Sequence, residues 1–358
     1  MKKKVVGMIA TAALLTMALA GNVQAAEIRS VGPDGEAAVD ASTIELTDDQ
    51  IAQIKEGGYT AAICLHYGGN DWSTSQQKGL EDTFGELGIE IVAVTDANFS
   101  AETQVSNIET VMAKKPDILV SIPTDATATA DAYKQAAAAG IKIVFMDQRA
   151  DGLEAGKDYV SVVSADNYGN GYASGTVLGD ALGGKGKVAM VYYDANFAPT
   201  NQRDEGFRDA MKNYPDIEIV TEQGFTDESG CAEQGDAILT QFPNIDGIYA
   251  SWDVPMEGVL SAVRAAGMEG KVTLACNDLG NNVAREIASG NIAGGGAQMP
   301  YDQGVAEAKL AALALLGEET PSYVAVPAET VTHENVLEAY TDVYHVETPD
   351  WLKEAYVE

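Results

Sequence analysis

From Tyr59 onward the chain alternates short apolar runs with longer segments whose apolar residues recur at helical spacing. TAAICLH, IEIVAV, DILVSI and IKIVFM read as strands, and WSTSQQKGLEDTFGELG, AETQVSNIETVMAKK and ATATADAYKQAAAAG between them read as helices. A short aliphatic run without polar alternation predicts a strand buried on both faces. Strand and helix in strict alternation predict a doubly wound parallel sheet with right-handed crossovers and helices on both faces. YVSVVSAD carries the chain onward, and the rhythm restarts with NYGNGYASGTVLGDALGG, KVAMVYY, TNQRDEGFRDAMKNY and IEIVTEQG. It continues through CAEQGDAILTQF, GIYAS, PMEGVLSAVRAAG, KVTLAC and NNVAREIASG, which predicts a second α/β lobe of the same build. NIAGGGAQMP then reads as a strand loosened by Gly294, Gly295 and Gly296, as a hinge crossing requires, before the Ala/Leu helix YDQGVAEAKLAALALLG.

Outside this rhythm the pattern changes. Residues 1–25 carry three lysines, an apolar stretch and Val23-Gln24-Ala25, the marks of a cleaved export signal. Asn22 stands where a lipoprotein signal would place cysteine, so no lipid anchor is expected. Residues 26–55 lack periodicity until LTDDQIAQIKEG, where Thr47 and Gln50 suit a capping box; the stretch reads as a mobile leader. ENVLEAYTDVYH, near the C-terminus, suits a packing helix or equally a docking element.

The strands share one habit, which is that they end in Asp or Asn. Asn70 and Asp71, Asp96, Asp125 and Asp147 follow strands of the first lobe; Asp194, Asp227, Asp253 and Asp278 follow those of the second. In open α/β sheets ligands bind outside the carboxyl ends of the strands, and Asp147, Gln148 and Arg149 stand there. About half of these acids should instead cap helices. Trp72 and Trp252 lie beside two of the acids, where an indole offers a flat face to a sugar ring or partly fills a core.

Composition narrows the chemistry. Lys and Arg total 22 against 54 Asp and Glu, a net charge of −32, which excludes nucleic acid and anionic membrane as partners. Cys64, Cys231 and Cys276 cannot all pair and read as buried small hydrophobes; His66, His333 and His345 make no metal spacing. No GxSxG elbow occurs, and the glycines of GGKGKV close a helix instead of opening one after a strand, so neither hydrolase nor dinucleotide loop is indicated. No cofactor is expected. The inventory of Asp, Asn, Gln and aromatics suits a ligand rich in hydroxyls.

FMDQR, SADNYGNG, QRDEGF, SWDVPMEGVLSAVRAAG, CNDLG and AQMPYDQG, spread from about Tyr59 to Val331, give the chain a family resemblance. It resembles the exported solute-binding proteins of ABC sugar importers, in the ribose-binding-like group of the type I periplasmic binding proteins. LacI-type repressors share these lobes but carry a helix-turn-helix where this chain carries the export signal. The resemblance implies sugar contacts from Asn70, Trp72, Asp147, Asn167, Asn201, Trp252, Asp278 and Gln298; where ribose binders carry arginine this chain has Gln148, with Arg149 one residue later, and Asn201, with Arg203 two later. Fewer guanidinium donors and one more aromatic imply a pentose other than ribose, a hexose or a polyol. It further implies three crossings between lobes near residues 164, 298 and 325, closure around the ligand, and delivery to an ABC permease and its ATPase. The expected division is a signal peptide over 1–25, the leader over 26–55, an N-terminal lobe of 56–164 plus 299–325, a C-terminal lobe of 165–298 plus 326–345, and a tail over 346–358. The expected protein is a monomer at the periplasm or extracellular face that catalyses nothing. The alternatives are a sensor for a chemoreceptor or sensor kinase, or a receptor for a cell-to-cell signal.

Overall fold

The computed structural model describes residues 27–357, so the expected export signal lies outside the described residues. The first strands in chain order are β1 (Val39–Asp40), β2 (Thr60–Leu65), β3 (Glu90–Asp96), β4 (Ile118–Ser121), β5 (Lys142–Met146) and β6 (Ser161–Ala165). They are followed by β7 (Lys185–Tyr193), β8 (Asp216–Phe225), β9 (Gly247–Ala250), β10 (Thr273–Cys276), β11 (Gly294–Ala297), β12 (Tyr323–Val326) and β13 (Glu329–Thr332). One sheet has the order β1-β12-β6-β5-β4-β2-β3 and is parallel throughout; the other, β13-β11-β10-β9-β7-β8, is parallel except for β13 against β11. Within each lobe the strands that open the βα rhythm take the doubly wound order 2-1-3-4-5, so the two lobes repeat one topology.

Helices cover both faces of each sheet, as buried strands require. In the N-terminal lobe Leu80 and Phe84, from the helix Asp71–Glu86, share one core with Leu310 and Ala311 from the helix Pro300–Leu315. Ile108, Val111 and Tyr133 fill the opposite face. The C-terminal lobe has its own core around Ile248, Met256, Val259 and Leu274. The chain passes between sheets after Ala165, after Ala297 and after Val326, and these crossings bring the carboxyl ends of both sheets toward one cleft.

Three local readings of the sequence need correction. The stretch 26–55 is not a mobile leader: β1 pairs with β12, Ile44 and Ile54 are buried in the N-terminal core, and Thr47 and Gln50 form the capping box of the helix Asp48–Gly57. Its first residues also reach the other lobe. Asp166 accepts from the N–H groups of Arg29 (3.0 Å) and Ser30 (2.8 Å), and the Arg29 guanidinium lies over Tyr172, 4.1 Å from the ring centroid. The tail is likewise packed: Leu352, in the helix Asp350–Ala355, is fully buried in the C-terminal core.

The third correction concerns β11. Its glycines do not loosen it, for the strand is buried and a Cβ would come within 2.0 Å of the Val331 carbonyl at Gly294, 1.7 Å of the Cys276 carbonyl at Gly295 and 2.3 Å of the Asn170 carbonyl at Gly296. Close backbone approach, with the helix Asn167–Ala181 pressed onto the strand, is what demands them.

Candidate functional site

Asp147 and Gln298 enter the site from the ends of β5 and β11, Asp278 from the end of β10, and Arg203 from the helix Ala198–Met211. Asp147 Oδ1 accepts from Ser164 Oγ (2.9 Å) and Gln303 Nε2 (3.3 Å). Asn167 Nδ2 donates to the same Ser164 oxygen (2.9 Å), and Asn167 Oδ1 accepts from Arg203 Nε (2.9 Å). Arg203 Nη1 reaches Asp278 Oδ2 at 3.1 Å, while Asp278 Oδ1 accepts from Gln298 Nε2 at 2.8 Å. One polar chain therefore runs from the first lobe to the second.

Its electrostatics follow from burial. Withdrawal from water raises the Asp147 carboxyl above its ordinary value, against the opposing effects of Ser164 and Arg203. Burial also works against the Arg203 charge, but Asp278 and Asp147 outweigh it and hold the guanidinium protonated. Two acids and one base face the same space, a net negative lining that disfavours anions.

The rest of the lining is aromatic. The cleft, a cavity of about 50 Å³, is bounded by His66, Tyr67, Trp72, Phe99, Tyr193, Phe197 and Trp252 together with Asn70, Ile122, Asp147, Pro199, Thr200, Arg203, Asp278 and Gln298. Asn70 caps the helix Asp71–Glu86 through Ser73 N–H (2.9 Å) and donates from Nδ2 to Tyr67 Oη (2.6 Å). Trp72 and Trp252 are both core and wall: each is about nine-tenths buried among the apolar residues of its lobe and still lines the cleft.

The lobes are closed on each other. His66 of the first stacks on Phe197 of the second, with ring centroids 5.7 Å apart. Asp71 accepts from Asn281 N–H (2.7 Å) and Nδ2 (2.8 Å), and Gln148 Oε1 accepts from Ala198 N–H (3.2 Å).

Of the ten residues expected in the site, Asn70, Trp72, Asp147, Arg203, Trp252, Asp278 and Gln298 line the cleft. Asn167 stands behind Arg203 and orients it. Gln148 is turned away, donating to the Pro123 carbonyl (2.9 Å) and bridging to Ala198. Asn201 is exposed on the far side of its helix and touches nothing in the cleft. Sequence reasoning missed His66, Tyr67, Phe99, Tyr193, Phe197 and Thr200. The signal was available, since His66 and Tyr67 directly follow β2 and Tyr193 ends β7.

A model of the periplasmic binding protein domain matches residues 61–319. The chain belongs to that family. Among curated relatives, the ribose import binding protein of Salmonella typhimurium is 24% identical over 76% of this chain and 90% of its own length. The D-ribose/D-allose-binding protein of Pseudomonas aeruginosa is 29% identical over 73% of this chain and 83% of its own. Among solved structures, a periplasmic solute-binding protein of an ABC transporter from Actinobacillus succinogenes, with bound D-allose, superposes with a TM-score of 0.72 at 29% identity, covering 78% of this chain and 99% of that one. A solute-binding protein from Agrobacterium vitis bound with α-D-tagatopyranose gives 0.74 at 25% identity over 82% and 100%. The periplasmic binding protein fold, in its ribose-binding-like form, is thus the fold of this chain. No helix among the described residues is long and apolar enough to cross a membrane.

Proposed function

We propose that this protein is the extracytoplasmic receptor of an ABC importer and captures a small neutral carbohydrate between its lobes. The observation that carries the reading is the convergence of Asp147 and Asp278, one from each lobe, on a cleft walled by aromatic rings. Carboxylates bonded to Arg203, Ser164 and Gln298 are fixed acceptors for hydroxyl hydrogens, and the rings offer apolar faces for the C–H side of a sugar. Hydroxyl groups from a ligand would bridge the lobes and stabilise the closed form, the form a permease recognises. Both halves of the cleft come from one chain, so the reading requires no second copy. The cleft binds its ligand without altering it, because the acids serve as acceptors and no bond is made or broken.

The relatives bind ribose and allose, and the added aromatic wall that Trp252 gives this cleft favours a pentose other than ribose, a hexose or a polyol as the ligand. A thermal-shift screen of the protein against pentoses, hexoses, deoxysugars and polyols tests this, because a ligand bound only by the native state raises its melting temperature. A clear shift with a neutral carbohydrate is the expected result; no shift with any of them contradicts it.

A further inference from the structure

The cleft continues past its aromatic wall. Phe99, Tyr193 and Trp252 line both the cleft and an outer cavity of about 320 Å³, which Phe225, Asp227 and Glu228 also line. Polar groups and rings are also segregated. The hydrogen-bonded chain from Asp147 to Gln298 runs unbroken through Arg203, whereas the rings contact one another: Tyr67 stacks on Phe99 at 4.2 Å and Tyr193 meets Trp252 edge-on at 5.6 Å. A ligand whose hydroxyls engage the polar chain leaves its other end against rings, beside an opening.

Phe99 supplies an independent observation. It has φ 58°, directly after Asn98 at φ 47°, a left-handed backbone that a bulky side chain rarely adopts. The ring remains 40% exposed, so burial of its apolar surface does not explain the conformation. Its N–H donates to the His66 carbonyl (2.8 Å), which ties the strained turn to the cleft wall. Strain of this kind persists where the surroundings hold a side chain in place for recognition.

We propose that the site takes a small glycoside, with the sugar on Asp147, Arg203 and Asp278 and a flat aromatic aglycone against Phe99, Tyr193 and Trp252. The proposal rests on the carbohydrate-receptor reading and adds a second subsite to it. Asp227 and Glu228 on the outer wall, in a chain of net charge −32, select against an anionic aglycone, so phosphorylated glycosides are rejected.

The test is titration calorimetry with matched pairs: D-ribose beside adenosine and uridine, and D-glucose and D-galactose beside their phenyl glycosides. The expected result is that a glycoside binds about tenfold more tightly than its parent sugar, the size of one aromatic stacking contact. Phe99→Ala and Phe99→Gly are expected to close most of that gap; the glycine variant also relieves the left-handed backbone, so loss of the fold does not obscure the result. Parent sugars that bind as tightly as their glycosides overturn the proposal and leave the receptor reading standing. An unchanged gap in Phe99→Gly overturns the subsite. Failure of every sugar and every glycoside to bind overturns both readings.

Discussion

Asp147 and Asp278 occupy the same place in the two lobes. Each follows the fourth strand of its doubly wound unit, each has a left-handed backbone (φ 55° and 69°), and each donates its N–H to the neighbouring strand, to Val163 O at 2.7 Å and Gly296 O at 2.8 Å. Their partners differ, since only Asp278 is in direct contact with the Arg203 guanidinium. Substituting glycine relieves the backbone at either position but removes the direct ion-pair partner of a buried cation only at Asp278, Asp147 acting on Arg203 from a greater distance. Urea denaturation should therefore show Asp278→Gly losing about 3 kcal/mol or more and Asp147→Gly changing by less than about 1 kcal/mol. Equal losses at the two positions contradict the asymmetry.

Burial lowers the His66 imidazole from its ordinary value to about 3, because nothing nearby compensates a charge in that ring cluster. The folded state thus binds fewer protons than the unfolded state between pH 6.5 and about 3. The stability that neutral His66 contributes is present above pH 6.5 and is lost as pH falls through that window. Asp204, raised by burial to about 6, acts in the opposite sense between its ordinary value and about 6, gaining stability as pH falls. The two are separated by comparing wild type with His66→Gln: melting temperatures at pH 7, 6, 5 and 4 should show the wild type losing ground to the variant as pH falls. Parallel curves would show that His66 does not titrate in this way.

Asp166 does two jobs at the first crossing between lobes. It caps the helix Asn167–Ala181 through Gly169 N–H (2.9 Å) and holds the N-terminal segment through Arg29 and Ser30. Asp166→Ala leaves three N–H groups without this acceptor, and a loss of about 2–4 kcal/mol is expected. Removing residues up to Ser30 deletes two of those donors with their bonds, leaves the Gly169 cap in place and should cost less, which chemical denaturation of the two proteins resolves.

Asp71 and Asn281 belong to different lobes, so their paired hydrogen bonds form when the lobes meet. Asp71→Ala should weaken ligand binding by about threefold to tenfold through loss of closed form, at about 0.5–1.5 kcal/mol, with little change in the unfolding of the unliganded protein. Fluorescence titration with a sugar identified by thermal shift measures it.

The alternation of buried strands and helices was legible because parallel strands covered on both faces leave an aliphatic signature. The acids at strand ends were legible for the same reason, since a strand's carboxyl end is visible wherever the apolar run stops. Side-chain direction was not. Residues two apart on a helix point about 200° away from each other, so Arg203 and Asn201 cannot share a face, while Thr200, three residues before Arg203, lines the cleft with it. Gln148 follows Asp147 by one residue and turns away likewise. Phe99 and Phe197 come from loops, where no periodicity points at a site. The N-terminal stretch misled because its two buried anchors, Ile44 and Ile54, lie among charged residues and make no stripe.

The most direct measurement is the calorimetric affinity of the wild-type protein and of Asp147→Gly for the neutral carbohydrate that gives the largest thermal shift. The account predicts saturable one-to-one binding by the wild type and a loss of about tenfold to a hundredfold in the variant, the cost of about 1–3 kcal/mol when a buried hydroxyl loses its acceptor. Undiminished affinity in a folded Asp147→Gly would contradict a cleft whose acids hold the ligand.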